Sequence, residues 1–323
     1  MSDSLLHRFL FDGLPVRGAL VQLDESWLEA MRVRAHSGAF PSPVRQLLGQ
    51  MTAAGFLMQS QLKFKGALLL QVQGDGPLQM AVSEVNSDYQ FRATAKLKGV
   101  VVDDAGLTEL ANAHGQGRCS ITLDPADRAP GTQPYQGVVP MHDDERKPLT
   151  EISAVLEHYM LQSEQLDTKL VLAANDDRAA GLLVQRMPVS VKGMHSDFAD
   201  EYLIGRDEDY NRLALIAETL TDAELLKLSA DEILRRLFAG EAIRRFQPEP
   251  AHFSCSCSHE RVSRMLIGLG REELEDIVAE QGQVEVSCDF CGQQYRFDRN
   301  AVELMTAPES IVIPASDSGR TLH

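Results

Sequence analysis

SCSCS at residues 254–258 and SCDFCG at residues 287–292 carry the strongest structural signal in the chain. Their cysteines form two close pairs separated by residues 258–287, and the four are Cys255, Cys257, Cys288 and Cys291. Zn²⁺ favours tetrahedral thiolate coordination, and four such ligands leave no open position at which a water is activated. The spacing therefore predicts a structural site for one Zn²⁺ per chain, with these four cysteines as its ligands.

The residues around the two pairs predict a small folded module. Apolar residues at helical spacing between the pairs indicate two short helices, broken at Gly270. Alternating residues over 284–286 and 295–297 indicate two strands, so the second pair lies at the turn of a hairpin. Structural zinc contributes on the order of 10 kcal/mol to the folding of such short segments. We assign a carboxy-terminal zinc-binding domain to residues 255–323, and we expect its segment Cys255–Cys291 to unfold when the metal leaves.

The same four thiols predict sensitivity to oxidants. Thiolates are the form of cysteine that peroxide and hypochlorite attack, so oxidation can empty a site made only of thiolates. Each cysteine has a resolving thiol within its own pair, and a disulfide across the longer gap is possible too. Short disulfide loops constrain the unfolded chain weakly, so the oxidised module would stay open. The spacing alone favours a permanent structural zinc site that does not respond to oxidants, because most four-cysteine sites are of that kind.

The segment before the cysteines is predicted to be a helical connector. Between Met194 and Phe253 the pattern predicts only helices, and we assign a linker domain to residues 191–254. Two capping boxes, Thr221–Glu224 and Ser229–Glu232, begin short amphipathic helices. Their apolar residues are Leu225, Leu226, Leu228, Ile233, Leu234, Leu237 and Phe238.

Residues 1–190 predict a mixed domain of helices and strands. A helical period over Pro41–Leu62 is followed by alternating strands that turn at Gly74–Pro77, which is the pattern of a hairpin. Alternation continues over 89–93 and 119–123, so we expect a sheet of several strands.

The last part of this domain predicts turns followed by a helix. Pro125–Pro148 is rich in Pro, Gly and Asp and predicts turns, whereas apolar spacing over 152–160 predicts a helix. Cys119 lies in an alternating stretch far from the other cysteines, and we expect it to be a buried small apolar residue. The predicted fold class is α+β, with a mixed amino-terminal domain, a helical connector and a small zinc-binding redox-switch domain.

Composition limits the partners and the compartment. The 323 residues carry 31 basic and 47 acidic side chains, a formal net charge of −16, which is the wrong sign for general nucleic-acid binding. His7 and Arg8 interrupt the apolar amino terminus before a signal-peptide core forms, and no apolar run reaches the length of a membrane span. We therefore expect a cytoplasmic protein with no nucleic-acid or membrane partner. Five cysteines, an odd number, favour metal or redox use over a disulfide framework.

The sequence contains no motif that is typical of a catalytic site. His259-Glu260 begins like a zincin helix, but Ser263 stands where the second histidine is needed. His252 and His259 flank the first cysteine pair, yet four thiols already complete a zinc site. We expect no enzymatic activity, no catalytic residue and no organic cofactor.

With these residues the sequence resembles the bacterial redox-regulated heat-shock holdase family, the 33 kDa chaperonins. The resemblance covers nearly the whole chain, and its most specific elements are the two cysteine pairs at the family's spacing. Asp167 departs from the family pattern, in which proline follows Glu-Gln-Leu, but it touches only a helix end. The other matching segments are Gly74-Asp75-Gly76-Pro77, Tyr159 with Ser163-Glu164-Gln165-Leu166, and Ala180-Gly181-Leu182-Leu183 with Gln185.

The resemblance implies a chaperone that is activated by oxidation. The reduced form is a zinc-bound, inactive monomer. Oxidation releases zinc, forms the disulfides Cys255–Cys257 and Cys288–Cys291, and unfolds the tail. The connector then loosens, apolar surface becomes exposed, and the protein dimerises and binds unfolding proteins without ATP. The alternative class is a constitutive zinc-ribbon adaptor that binds a fixed partner.

Overall fold

The computed structural model describes residues 4–127, 133–187 and 208–307. The chain divides into two compact units. The first contains Met1–Cys255 and Asp289–Gly292, and the second contains Ser256–Cys288 and Gln293–His323. In the described residues, no helix is both long enough and apolar enough to cross a membrane.

The first unit consists of two sheets with helices between and beside them. Its elements are β1 (Leu5–Phe11), β2 (Val16–Leu23), α1 (Glu25–Ala35), α2 (Ser42–Gln59), β3 (Gly66–Gln73), β4 (Leu78–Asn86), β5 (Gln90–Leu97), α3 (Leu107–Ala111), β6 (Arg118–Pro125), β7 (Tyr135–Pro140), α4 (Ile152–Glu164), β8 (Thr168–Ala174), β9 (Ala179–Arg186), α5 (208–218), α6 (Asp222–Lys227), α7 (Ala230–Leu237), β10 (Ile243–Arg245), β11 (Glu249–Pro250) and β12 (His252–Phe253).

Each sheet has six strands. The first sheet has the order β10-β1-β2-β9-β8, with β11 also paired to β1, and the second has the order β12-β5-β4-β3-β6-β7. Neighbouring strands are antiparallel except β12 and β5, which are parallel. The three strands just before the cysteines are therefore divided between the two sheets. β10 and β11 pair with β1 in the first sheet, and β12 pairs with β5 in the second.

Helix α2 contacts both sheets and forms the centre of the main core. Two glycines on this helix permit the close approach. A Cβ atom on Gly49 would lie 2.4 Å from the Cβ of Ala174 in the first sheet, and one on Gly55 would lie 2.8 Å from Val85 Cγ2 in the second. Larger side chains at either position would push the helix away from a sheet, so the glycines set the spacing of these layers.

The first sheet is buried on both faces. Along β2, Ala19, Val21 and Leu23 belong to the core around α2, whereas Val16 and Leu20 point to the opposite face. The connector helices cover that opposite face with Tyr210, Leu213, Ala217, Leu225, Ile233, Leu234 and Phe238. The connector is thus packed on the sheet through a second apolar core.

Several sequence predictions for this unit are confirmed. The helix predicted over Pro41–Leu62 is α2, the predicted hairpin is β3–β4, and the helix predicted near residue 152 is α4. Both capping boxes form: the hydroxyls of Thr221 and Ser229 accept hydrogen bonds from the backbone three residues on. The α+β fold class is correct.

Two predictions for this unit are wrong. The turn-rich segment Pro125–Pro148 contains the strand β7, and the connector, predicted to be wholly helical to Phe253, ends in β10, β11 and β12. All four strands are short. The partners of β10, β11 and β12 are distant in sequence, and β7 pairs with the preceding strand β6, so in each case pairing within a sheet overrides weak local propensity. Prolines at the ends of β7 and β11 are tolerated because these strands lie at sheet edges.

The three-domain division stays a prediction. The proposed boundary between residues 190 and 191 lies outside the described residues. The strands β1 and β2, and the helix α1, were not predicted from the sequence.

The second unit is small and mostly helical. Its elements are α8 (His259–Ile267), α9 (Arg271–Gln281), β13 (Val284–Ser287), β14 (Gln294–Phe297) and α10 (Arg299–Thr306). The predicted break between the helices is confirmed at Gly270, which adopts a φ of +97°. The predicted hairpin is β13–β14. The buried apolar core of the second unit consists of Leu266, Leu274, Val278, Val284, Phe297 and Val302.

Candidate metal centre

The first cysteine pair lies in an irregular segment between β12 and α8. Pairing of β12 with β5 fixes the backbone just before Cys255. After Cys257, Ser258 caps α8, and its Oγ accepts a hydrogen bond from the backbone N–H of Arg261 at 3.2 Å. The guanidinium of Arg261 also donates to the carbonyl of Ser256 at 2.9 Å. The short segment is thus held at both ends.

The second pair lies at the turn of the β13–β14 hairpin. The backbone N–H of Cys288 donates to the carbonyl of Gln293 at 2.9 Å and closes the turn. Gly292 has a φ of +72°, a left-handed conformation that a side chain disfavours. Cys291 directly precedes this glycine, so the turn geometry directs the second thiol of the pair.

The fold brings all four predicted ligands together. The Sγ atoms of Cys255, Cys257, Cys288 and Cys291 all lie within 4.8 Å of one another. Tetrahedral Zn²⁺ with bonds of about 2.3 Å separates its sulfur ligands by about 3.8 Å, so the cluster fits a four-thiolate site after a small contraction. Cys291 is 7% exposed and the other three are half-buried.

The flanking histidines are not members of this cluster in the described part of the chain. His252 is exposed on β12. The His259 ring packs against Phe297, with ring centroids 4.6 Å apart. Both histidines thus have positions outside the group of four thiols.

Sequence reasoning missed the residues of the second sheet that contact Asp289 and Phe290, which lie between Cys288 and Cys291. Thr94 Oγ1 donates to the carbonyl of Asp289 at 2.5 Å, and the Arg92 guanidinium lies over the Phe290 ring. Arg92 also forms an ion pair with Glu84. These residues all belong to the first compact unit. More than 190 positions separate Thr94 from Asp289 and Arg92 from Phe290, and no local pattern predicts such contacts.

Arg92 supplies positive charge beside the first cysteine pair. Desolvation by burial lowers the pKa of Arg92, but hydrogen bonding to Glu84, the charge of Glu84 and interaction with Cys255 raise the pKa above its usual value. A guanidinium held in the charged state near a thiol favours the thiolate, which is the form that binds metal.

Cys119 has a different environment from the cluster. It is fully buried on β6, as predicted, and its neighbours across the sheet are Val72 and Val139. Burial raises the pKa of its thiol to about 12. Cys119 is therefore a protonated, apolar core residue at neutral pH.

These features define an α+β protein with four converging thiols that are close enough to hold a metal ion. Residues 4–298 match the family described as Hsp33 protein, and the chain belongs to that family. The resemblance found in the sequence is confirmed.

Curated relatives extend the match over almost the whole chain. The 33 kDa chaperonin of Methylobacillus flagellatus is 43% identical over 313 residues, which is 97% of each protein. The 33 kDa chaperonin of Chromobacterium violaceum is 44% identical over 293 residues, covering 91% of this chain and 90% of the relative. The crystal structure of the 33 kDa chaperonin of Thermotoga maritima has the same fold, with a TM-score of 0.72 and 21% identity, over 94% of this chain and 98% of that one.

Proposed function

We propose that the chain is a redox-regulated, ATP-independent holdase that binds unfolding proteins under oxidative and heat stress. The reduced, metal-bound form is inactive, and oxidation of the four cysteines activates it. The observation that carries the proposal is the convergence of Cys255, Cys257, Cys288 and Cys291 in one cluster. A site made only of thiols loses all of its ligands when the sulfurs are oxidised.

The proposed metal is Zn²⁺, because four soft thiolates in a compact cluster match its preferred donors and geometry. Bound there, it supplies a closed structural crosslink. The second compact unit needs such a crosslink, since its buried core contains only six apolar side chains in the described residues. Domains with so small a core are rarely stable without a metal or disulfides. We infer that removal of the metal ligands unfolds this unit.

The proposed oxidant is a peroxide. A thiolate attacks one peroxide oxygen, the O–O bond breaks, and the sulfur becomes a sulfenic acid. A second thiol displaces that oxygen as water and forms the S–S bond, so each disulfide transfers two electrons to one peroxide. We propose the pairs Cys255–Cys257 and Cys288–Cys291, as the resemblance implies. The sulfur positions also allow other pairings.

The connector is the proposed source of the client-binding surface. From α7 the chain runs through β10, β11 and β12 directly into Cys255. Helices α6 and α7 have six and eight residues, and helices this short depend on packing. Their release would uncover Phe9 and Phe11, whose rings now contact Phe238 at centroid distances of 6.1 and 4.9 Å. A contiguous apolar surface of this kind binds other proteins.

The remaining parts of the proposal rest on the family resemblance and, for the compartment and the excluded partners, on the net charge and hydropathy of the sequence. The partners are unfolded or partly folded proteins, the reduced form is a monomer, and the oxidised form is a homodimer. The protein acts in the cytoplasm, and it has no catalytic turnover and no nucleic-acid or membrane partner.

The test follows metal release and client protection on the same samples. Reduced, zinc-loaded protein is treated with hydrogen peroxide at raised temperature while a chromogenic chelator reports the metal. A thermally unfolding test protein then reports suppression of aggregation. We expect release of one zinc per chain, partial loss of helix and suppression of aggregation. Retained zinc with protected thiols and no suppression would instead favour the constitutive adaptor and would contradict the proposal.

Matched cysteine variants sharpen this test. Cys288→Ser removes one of the four converging thiols, and we expect it to bind zinc weakly and to lose the oxidant-controlled transition. Cys119→Ala removes the buried thiol outside the cluster, and we expect wild-type zinc release and protection. Equal behaviour of the two variants would show that the cluster does not control activity.

A further inference from the structure

The first compact unit contains a cavity of about 330 Å³ between its two sheets. Strands of both sheets contribute to its walls, together with the ends of α2 and α4. Its apolar lining includes Met58, Leu68, Ile121, Met160, Leu166 and Leu183. Small-molecule sites in proteins are concave, mostly apolar and about 300–1,000 Å³ in volume, so this cavity has the size of a site for a small ligand.

The apolar wall favours a hydrocarbon ligand. Protein interiors are packed as densely as organic crystals, and side chains around a large cavity forgo dispersion contacts that a ligand would restore. Engineered apolar cavities of about 150 Å³ already bind benzene or xenon. A flexible apolar chain would gain the same contacts here over a larger area.

Arg17 supplies a positive charge to the cavity lining. Its Nε and Nη2 donate to Gln185 Oε1 at 3.0 and 2.5 Å, and Gln185 Nε2 donates to Thr168 Oγ1 at 2.7 Å. These three residues lie side by side on β2, β9 and β8. Among the described residues, the Arg17 guanidinium is therefore held by the neutral amide of Gln185, which Thr168 positions in turn.

This guanidinium has no carboxylate within ion-pair distance in the described part of the chain. Desolvation by burial lowers the pKa of Arg17, the sign of a cation without a compensating anion. A half-buried charge bound only by neutral groups gains free energy from an anionic partner.

Glu164 is the acidic group in the lining, and two tyrosines already engage it. Glu164 Oε1 accepts hydrogen bonds from the hydroxyls of Tyr159 and Tyr135 at 2.9 and 3.2 Å. Burial and these hydrogen bonds raise the pKa of Tyr159, so its hydroxyl stays a donor. Gly137 leaves room for the Tyr159 ring, because a Cβ there would lie 2.5 Å from it. The Glu164 carboxylate therefore accepts hydrogen bonds from the two tyrosines and, in the residues that the structure describes, forms no ion pair with Arg17.

We propose that this cavity binds a small amphipathic carboxylate, with its apolar chain between the sheets and its carboxylate on Arg17. The class is that of a medium-chain fatty acid. A single guanidinium suits one carboxylate, and an apolar wall of this extent suits a hydrocarbon chain rather than a nucleotide. The site is separate from the four thiols and does not depend on their redox state.

The test uses the reduced, zinc-loaded full chain without oxidant or client, so its outcome is independent of holdase activity. Decanoate, decanol and decyltrimethylammonium are compared at equal concentrations below micelle formation, by calorimetric titration and thermal unfolding. We expect decanoate to bind tightest and to raise Tm, because a ligand that binds the native state stabilises it. Equal binding of all three ligands, or no binding of decanoate, would overturn the proposal.

Three variants locate the binding. Arg17→Met keeps an apolar stem without the charge, and we expect it to weaken decanoate binding roughly tenfold or more while leaving decanol binding unchanged. Leu123→Phe fills part of the cavity, and we expect it to weaken both ligands even if Arg17→Met does not fold. Arg118→Met, at an exposed position on β6, is the matched control and should bind like wild type. Unaltered decanoate binding by Leu123→Phe would overturn the cavity assignment.

Discussion

The guanidinium carbon of Arg92 lies 4.2 Å from the centroid of the Phe290 ring. Phe290 is located between Cys288 and Cys291, and Arg92 is on β5, the strand that also pairs with β12 just before Cys255. One strand of the second sheet therefore contacts the backbone segments that present both cysteine pairs. This relationship makes β5 a structural support of the four-thiol cluster.

Removal of the Arg92 side chain should make the four-thiol cluster release zinc more readily. A cation–π contact contributes about 0.5–2 kcal/mol, depending on burial. We expect Arg92→Ala to increase the rate of peroxide-induced zinc release by about fivefold, the equivalent of about 1 kcal/mol. Lys96→Ala, at an exposed position on the same strand, is the control. Identical release rates for Arg92→Ala and wild type would show that the contact does not stabilise the site.

The buried thiol of Cys119 should be unreactive in the native protein. Burial raises its pKa to about 12, so almost none of it is thiolate at pH 8. After chelation of the metal, we expect a thiol reagent at pH 8 to modify four cysteines rapidly and the fifth only in denaturant. Rapid modification of five thiols would contradict the assignment of Cys119 to the core.

Acidification should destabilise the first unit through His7. Burial and the charge of Arg245 lower the pKa of His7 below its ordinary value of 6.5, whereas Asp231 partly offsets this. The unfolded chain therefore binds the proton first, so the contribution of His7 is complete above pH 7 and is lost as the pH falls below about 6.5. We expect His7→Gln to flatten the dependence of Tm on pH between 5.5 and 7.

A non-titrating exposed residue provides the comparison for this experiment. Gln116 lies on the surface after α3, and Gln116→Asn should leave the pH profile unchanged. Parallel pH profiles for His7→Gln and wild type would rule out His7 as the titrating group.

The two capping boxes of the connector should set how readily it is released. Replacement of a capping hydroxyl costs about 1 kcal/mol. We expect Thr221→Ala and Ser229→Ala each to destabilise the connector by that amount and to permit partial client binding at lower oxidant concentrations. The conservative Thr221→Ser retains the hydroxyl and should behave like wild type. Unaltered connector helices and an unaltered oxidant threshold in both alanine variants would show that the capping boxes do not set the release of the connector.

Local signals in the sequence predicted the elements that local chemistry determines. Helix α2, the β3–β4 hairpin, the capping boxes and the break at Gly270 all follow from short-range spacing and turn residues. The four converging cysteines were also predictable, because metal-ligand spacing is a local pattern that the fold then completes.

Long-range pairing explains what the sequence did not predict. Strands β10, β11 and β12 contain only two or three residues each, and they form because β1 and β5 offer unpaired edges far away in the chain. The contacts of Arg92 with Phe290 and of Thr94 with Asp289 depend on the same tertiary arrangement, and so does the convergence of Arg17 and Gln185 at the cavity. Their residue types carry no distinctive spacing.

Hydrogen exchange measured by mass spectrometry on reduced and peroxide-treated protein tests the central claim most directly. We predict that oxidation removes the amide protection of α8, α9 and α10, and then that of α6 and α7, while α2 between the sheets stays protected. An oxidised, zinc-free protein whose residues 259–306 exchange as slowly as in the reduced form would contradict the account.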